Sequence, residues 1–486
     1  MLKALHFSYD LADSLGHLQH LNAASISDPT PRAEVLGAIA AALDAARPDI
    51  VRAAAADTAL TPAELEPEFE RMTGTFSMFA SAVREGSWAR VAIDPPATAT
   101  VGPNHDLRST LVPLGPIAVF GASNFPFAYG VCGGDTASAL AAGCPVVVKE
   151  HPAHIKTGRL LHRLARNAIH AATGDEHLLG YIANENPTDF APAQSLVTHP
   201  AIKAVGFTGS RRGGLALQSL AATRPDPIPI FAEMGSTNPV VITPAAAVSR
   251  GAEIGAQLAD SILSRFGQQC TCPGIIVVPD ARGAGRTVVQ SMAERMAAPP
   301  RDMLAVWIRD AYLRRLQECM VAGRTDIERL SGDPSHQAAG GRSASSALLL
   351  TTADRFAWSP ELREEIFGPA AIIVDAPADP DALAALPLPL SLTFSIYFQS
   401  DDAADLELAR RLLSAYALNS TGAGRIIFNG VPTGVRVAEA MVHGGPFPSS
   451  NSAHTTAVGP RAIERWCRPV CWQNCPAALL PVALMG

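Results

Sequence analysis

The chain has 486 residues, 48% of them hydrophobic and 17% charged, with a formal net charge of −7. Such a length exceeds one ordinary core and asks for two or three domains, and the apolar share excludes a disordered chain. Mild acidity without any basic block argues against nucleic acid and anionic membrane surfaces as partners.

The opening stretch, Met1 to Asp10, has no secretory apolar core, and no uncharged apolar run of about 18 residues occurs, so a cytoplasmic protein is expected. Eight cysteines are too few for a disulfide scaffold in this length. Cys467, Cys471 and Cys475 fall at four-residue intervals but lack an accompanying histidine pair, so no metal site is expected. The lysines are only Lys3, Lys149, Lys156 and Lys203.

Arg32 to Ala55 and Pro62 to Gly86 carry apolar residues at helical spacing, so residues 1 to about 90 are expected to be helical. Residues 91–114, with Asp94-Pro95-Pro96 and the alternation at 98–101, predict an extended arm. From Gly115 strands and helices alternate. The strand-like runs are Gly115–Gly121, Cys144–Lys149, Ala201–Gly209 and Pro229–Glu233; the helical ones are Tyr129–Ala142, Thr157–Ala172 and the segment ending at Thr223. Such alternation predicts a parallel sheet with ligands at the carboxyl ends of its strands. A second alternating block spans Cys270 to Asn429, with strand-like runs at 274–278, 370–374, 392–398 and 425–429.

Between the helical run Val248–Arg265 and the strand at Gly274 lies Phe266-Gly267-Gln268-Gln269-Cys270-Thr271-Cys272-Pro273. A thiol in a polar turn after a helix is well placed to serve a cleft, although a lone cysteine is more often packing. Other strand ends carry chemistry too. Asn124 follows the first strand, Lys149 closes the second, Gly209-Ser210-Arg211-Arg212-Gly213-Gly214 joins the third to a helix, and Glu233 ends the fourth. Singly, each has an ordinary reading: a turn amide, a solvated lysine, a weak glycine turn, a salt-bridge carboxylate.

Their joint order is specific. With Glu364-Glu365-Ile366-Phe367-Gly368-Pro369 they resemble the aldehyde dehydrogenase superfamily from Gly115 to Pro369. The resemblance implies an α/β protein with a Rossmann-type cofactor domain (1–90 and 115–233), an α/β catalytic domain (234–465), and an oligomerisation arm and tail (91–114 and 466–486). It implies Cys270 as nucleophile, Glu233 as the base that activates water, and an oxyanion hole from the Asn124 amide and the Cys270 N–H. Cofactor contacts would come from Lys149, Gly209, Ser210, Arg211, Gly214, Glu365 and Phe367, with Cys272 left to packing.

Gly121–Ala128, Gly133–Gly143, Val148–His154, Gly444–Ser450 and Arg468–Asn474 are similar to the branch of 2-oxoglutarate semialdehyde (2,5-dioxopentanoate) dehydrogenases. That branch also holds NADP-linked fatty aldehyde dehydrogenases. The NAD-selecting glutamate, three positions beyond the lysine, is replaced by Pro152, which favours NADP while leaving NAD possible. A substrate carboxylate wants an arginine, for which Arg265 and Arg436 are candidates. If neither lines the tunnel and Phe127, Phe394 and Phe447 do, a fatty aldehyde is the better substrate. The rivals are a CoA-acylating enzyme, against which Glu233 argues, and a catalytically silent structural relative. A homodimer or homotetramer is the expected assembly.

Overall fold

A computed structural model describes residues 29–96, 101–174, 177–183, 186–323, 326–331, 341–416 and 422–485. The readings made for 1–28 and for 97–100 lie outside the described residues.

Helices Thr30–Ala45, Arg47–Thr58 and Pro62–Glu85 open the described chain. Thr61 starts the last of these with a reciprocal capping box to Glu64, which satisfies two otherwise orphaned N–H groups. Their apolar faces, including Leu36, Ile39, Phe69 and Phe76, share one core with the first sheet.

The strands are β1 (Ala92–Asp94), β2 (Leu107–Pro113), β3 (Ile117–Phe120), β4 (Val146–Lys149), β5 (Leu179–Ile182), β6 (Ala204–Thr208), β7 (Ile230–Glu233), β8 (Val240–Ile242) and β9 (Ile275–Pro279). They continue as β10 (Arg301–Asp302), β11 (Ile327–Ser331), β12 (Ser343–Ala344), β13 (Ala347–Thr352), β14 (Ala370–Ala376), β15 (Ser391–Tyr397), β16 (Ala423–Phe428) and β17 (Cys467–Gln473). The first sheet has the order β5-β4-β3-β6-β7, all parallel. The second has the order β11-β13-β14-β9-β8-β15-β16, antiparallel only at β11. Continuous runs such as Val146-Val147-Val148 suit strands covered on both faces. β1, β2 and β17 form a small antiparallel sheet of their own.

In the first sheet the chain winds outward from β3 through β4 to β5, then crosses back to β6 and β7. Adjacent strands therefore lead in opposite directions at β3 and β6, which opens a crevice at their carboxyl ends. Lys149, Thr208 and Glu233 all end strands on this side.

Three details differ from expectation. The sheet has a fifth strand, β5, whose four residues Leu-Gly-Tyr-Ile are too short and glycine-broken to read as one. The helix expected from Tyr129 begins at Gly134, because Gly130 is pressed against the Pro126 carbonyl in a tight turn that no side chain fits. The segment after β16 does not stay with the second sheet up to residue 465. Met441 and Val458 pack on Ala122, Ala128 and Tyr129, while Ile463 and Trp466 enter the core beside β3.

Candidate active site

The helix Pro244–Leu263 delivers the thiol through an unusual turn. Arg265, Phe266 and Gly267 are all left-handed, with φ of 48°, 54° and 67°. For the two non-glycine residues this costs roughly 1–2 kcal/mol each. A buried ion pair holds the turn: Arg265 Nη2 lies 2.6 Å from Glu68 Oε2 and donates to the Asn124 carbonyl at 2.8 Å. The other Glu68 oxygen accepts from the N–H groups of Phe127 (2.7 Å) and Ala128 (2.9 Å). One carboxylate thus ties together an N-terminal helix, the loop after β3 and the thiol turn. At the far end of that turn, Asn238 Nδ2 donates to the carbonyls of Cys270 (2.7 Å) and Cys272 (2.9 Å). Gly267 lies so close to the Gly368 carbonyl that any Cβ would collide with it.

Cys270 emerges half-buried from this frame, whereas Cys272 is buried in the core of the second sheet. His443 Nε2 stands 3.7 Å from Cys270 Sγ. The Asn124 amide donates one N–H to the Gln268 carbonyl at 2.9 Å and has a second to offer. Glu233 is buried, and its Oε2 has no hydrogen-bond partner among the described residues.

Burial decides the charges here. It pushes the Cys270 thiol up to about 12, reinforced by Glu365 and Glu233 and opposed by Arg71. Glu233 rises to about 8, chiefly by burial, with Arg465 opposing and Asp135 adding. Glu365 rises to about 7, again by burial, although it accepts a hydrogen bond from the Ser236 N–H. His443 falls to about 3 because its cation would be buried beside Arg71, Arg425 and Arg465. At neutral pH the cluster is a thiol, a protonated Glu233 and a neutral imidazole able to accept the thiol hydrogen.

His443 was not found from the sequence. The only local signal was a histidine beside Gly444-Gly445, because its partners arrive by long-range packing. The ring stacks on Tyr129 at 6.1 Å between centroids.

The proposed substrate contacts fare differently. Arg265 does not hold a substrate carboxylate, since its guanidinium is committed to Glu68 and to backbone carbonyls. Phe127 does not line a tunnel either; it is fully buried and meets Phe69 edge-on at 5.7 Å. Phe394 is buried in the second core, Arg436 is exposed, and Phe447 is 54% exposed.

On the cofactor side, the Ser210 hydroxyl caps the helix Arg211–Ala222 by accepting from Gly213 N at 3.2 Å, and Gly209 N donates to the Glu233 carbonyl at 3.0 Å. Gly214 gives Met234 room to pack. Arg211 pairs with Glu364 at 3.1 Å, joining this helix to the segment that carries Glu365 and half-buried Phe367. Lys149 is desolvated enough to fall to about 8, and it has no hydrogen bond or ion pair among the described residues. A half-buried cation with no direct hydrogen bond or ion pair, at the carboxyl end of a strand, fits the hydroxyls and phosphates of a dinucleotide.

The model of the aldehyde dehydrogenase family matches residues 19–386. Alpha-ketoglutaric semialdehyde dehydrogenase 2 of Azospirillum brasilense is 42% identical, over 93% of this chain and 84% of that protein. Alpha-ketoglutaric semialdehyde dehydrogenase of Acinetobacter baylyi is 37% identical over the same shares. Among solved structures, glyceraldehyde-3-phosphate dehydrogenase GapN of Methanocaldococcus jannaschii, complexed with NADP, superposes with a TM-score of 0.74. That match is 16% identical and covers 95% of this chain and 92% of that one, which speaks to the fold alone. The chain is therefore a member of the aldehyde dehydrogenase family, whose enzymes oxidise aldehydes with NAD or NADP.

Proposed function

We propose that this enzyme oxidises alpha-ketoglutaric semialdehyde to the dicarboxylate with NADP, using Cys270 as nucleophile and Glu233 as hydrolytic base. The substrate rests on the two semialdehyde dehydrogenases that share most of their length with this chain. The chemistry rests above all on one observation: a thiol within reach of a neutral imidazole, in a site that also holds a carboxyl group with a buried, unpartnered oxygen.

Cys270 Sγ bonds to the aldehyde carbon as its proton is released to solvent; neutral His443 Nε2, 3.7 Å away, orients the thiol hydrogen without keeping the proton. The developing oxyanion meets the free Asn124 N–H and the Cys270 backbone N–H, each such donor being worth roughly 3–4 kcal/mol. The pyridine nucleotide supplies the two-electron acceptor for the hydride that leaves this carbon. Glu233, once ionised, draws a proton from water; the water attacks the thioester, the acid departs, and Cys270 regains its proton. Glu365 and Phe367 position the reactive end of the nucleotide, and Lys149 with the Gly209–Gly214 turn holds its ribose and phosphates.

NADP is favoured over NAD because the acidic group that would repel a 2′-phosphate has no free counterpart. Pro152 stands at its place, and the Glu150 carboxylate is tucked beneath Gly158 and 3.5 Å from His154. The sheet of β1, β2 and β17 is the proposed element for pairing subunits into a homodimer or homotetramer. The test is reduced-nicotinamide formation with alpha-ketoglutaric semialdehyde and with a series of aliphatic aldehydes, using NADP and NAD in turn. The proposal expects the highest kcat/KM for the semialdehyde with NADP; preference for a long-chain aldehyde would overturn it.

A further inference from the structure

With Arg265 committed to Glu68, the surroundings of Cys270 still hold two guanidinium groups that lack a carboxylate partner among the described residues. Arg71, half-buried on the helix Pro62–Glu85, donates from Nη2 to the Tyr129 hydroxyl at 2.9 Å and lies alongside that ring, 5.3 Å from its centroid. Tyr129 stacks on His443, and His443 touches Cys270. Arg71 is thus joined to the thiol through two rings. Arg425, half-buried on β16, approaches from the opposite domain and donates to the Pro432 carbonyl. Its neighbour Gly424 abuts Gly444, next to His443, so the strand carrying Arg425 borders the same cluster.

The electrostatics agree with that placement. Burial pulls the Arg425 guanidinium below its ordinary range, and the groups pulling it back are Cys270 and Tyr129. Arg71 in turn eases ionisation of Cys270, against burial and the two glutamates. Both arginines help to keep His443 neutral.

We propose that Arg71 and Arg425 together form the subsite for the carboxylate at the far end of the substrate, one from each side of the cleft. This rests on the semialdehyde reading above and deepens it. A half-buried guanidinium without a counter-ion costs desolvation, which a planar carboxylate offsets by charge-assisted hydrogen bonds. An alkyl tail in the same place would bury both cations unpaired, so the pair also selects against fatty aldehydes.

The test compares kcat/KM for alpha-ketoglutaric semialdehyde and for pentanal in the wild type and in Arg71→Gln, Arg425→Gln, Arg71→Lys and Arg425→Lys. Each glutamine variant should lower the semialdehyde-to-pentanal ratio by about 10- to 100-fold, the loss of a hydrogen bond to a charged group. Each lysine variant should keep part of the ratio, because charge survives but the planar fork does not. In parallel, glutarate should protect wild-type Cys270 from iodoacetamide, weakly in the lysine variants and not in the glutamine ones. The lysine pair carries the test should a glutamine variant fail to fold. A wild type that prefers the semialdehyde, with variants that keep the whole preference, overturns the pair and leaves the substrate reading intact. A wild type without preference overturns the substrate reading. Glutarate then still decides: protection lost in the variants supports the subsite, and protection retained or absent refutes it.

Discussion

Replacing Glu68 by Gln leaves a carbonyl oxygen for the Phe127 and Ala128 N–H groups but turns an amide donor toward Arg265. The pair it breaks is 2.6 Å long, with side chains only 8% and 2% exposed, so water cannot take over its role. Removing one partner of such a buried pair costs about 3–5 kcal/mol, because the other charge stays buried. The strain at Arg265 and Phe266, roughly 1–2 kcal/mol each, then favours release of the turn that presents Cys270. Urea denaturation should show Glu68→Gln destabilised by about that 3–5 kcal/mol, and iodoacetamide should label Cys270 at a changed rate in the native protein. The double variant Glu68→Gln, Arg265→Met should recover part of the stability, since it removes the stranded cation while the Gln carbonyl still accepts from the Phe127 and Ala128 N–H groups. Wild-type stability together with wild-type labelling in Glu68→Gln would refute the idea that this pair braces the thiol turn.

Other consequences follow from the buried charges. Glu233 holds its proton up to about pH 8, so thioester hydrolysis should accelerate as pH rises through that value, and Glu233→Gln should flatten this limb in single-turnover hydrolysis. His443→Ala removes the acceptor beside the thiol; because a neutral imidazole that accepts the thiol hydrogen favours the thiol over the thiolate, alkylation of Cys270 at pH 7.5 should speed up about five- to ten-fold, the value of roughly one hydrogen bond. An unchanged rate would show that the 3.7 Å contact does not hold the thiol proton in place.

What the sequence disclosed followed from position on strands. Glu233 and Lys149 end apolar runs, and Cys270 sits in a turn between a helix and a strand; alternation alone puts such groups near a cleft. Trp466 and Ile463 gave no such sign. They follow β16 in the chain but join the first core, a choice made by packing rather than by any local period. His443, Tyr129, Arg71 and Arg425 come from an irregular segment, a turn, a helix face and an edge strand, so nothing short of the fold assembles them. Arg265 misled for a related reason. Its nearness to Cys270 suggested a substrate contact, whereas the partner that claims it, Glu68, lies 197 positions away.

The acyl-enzyme itself offers the most direct test. Glu233→Gln, mixed with alpha-ketoglutaric semialdehyde and NADP and quenched in acid, should show an intact-mass increase equal to the acyl group, located by peptide mapping on Cys270. An adduct on Cys272, or reduced nicotinamide formed steadily by Cys270→Ala, would contradict the account.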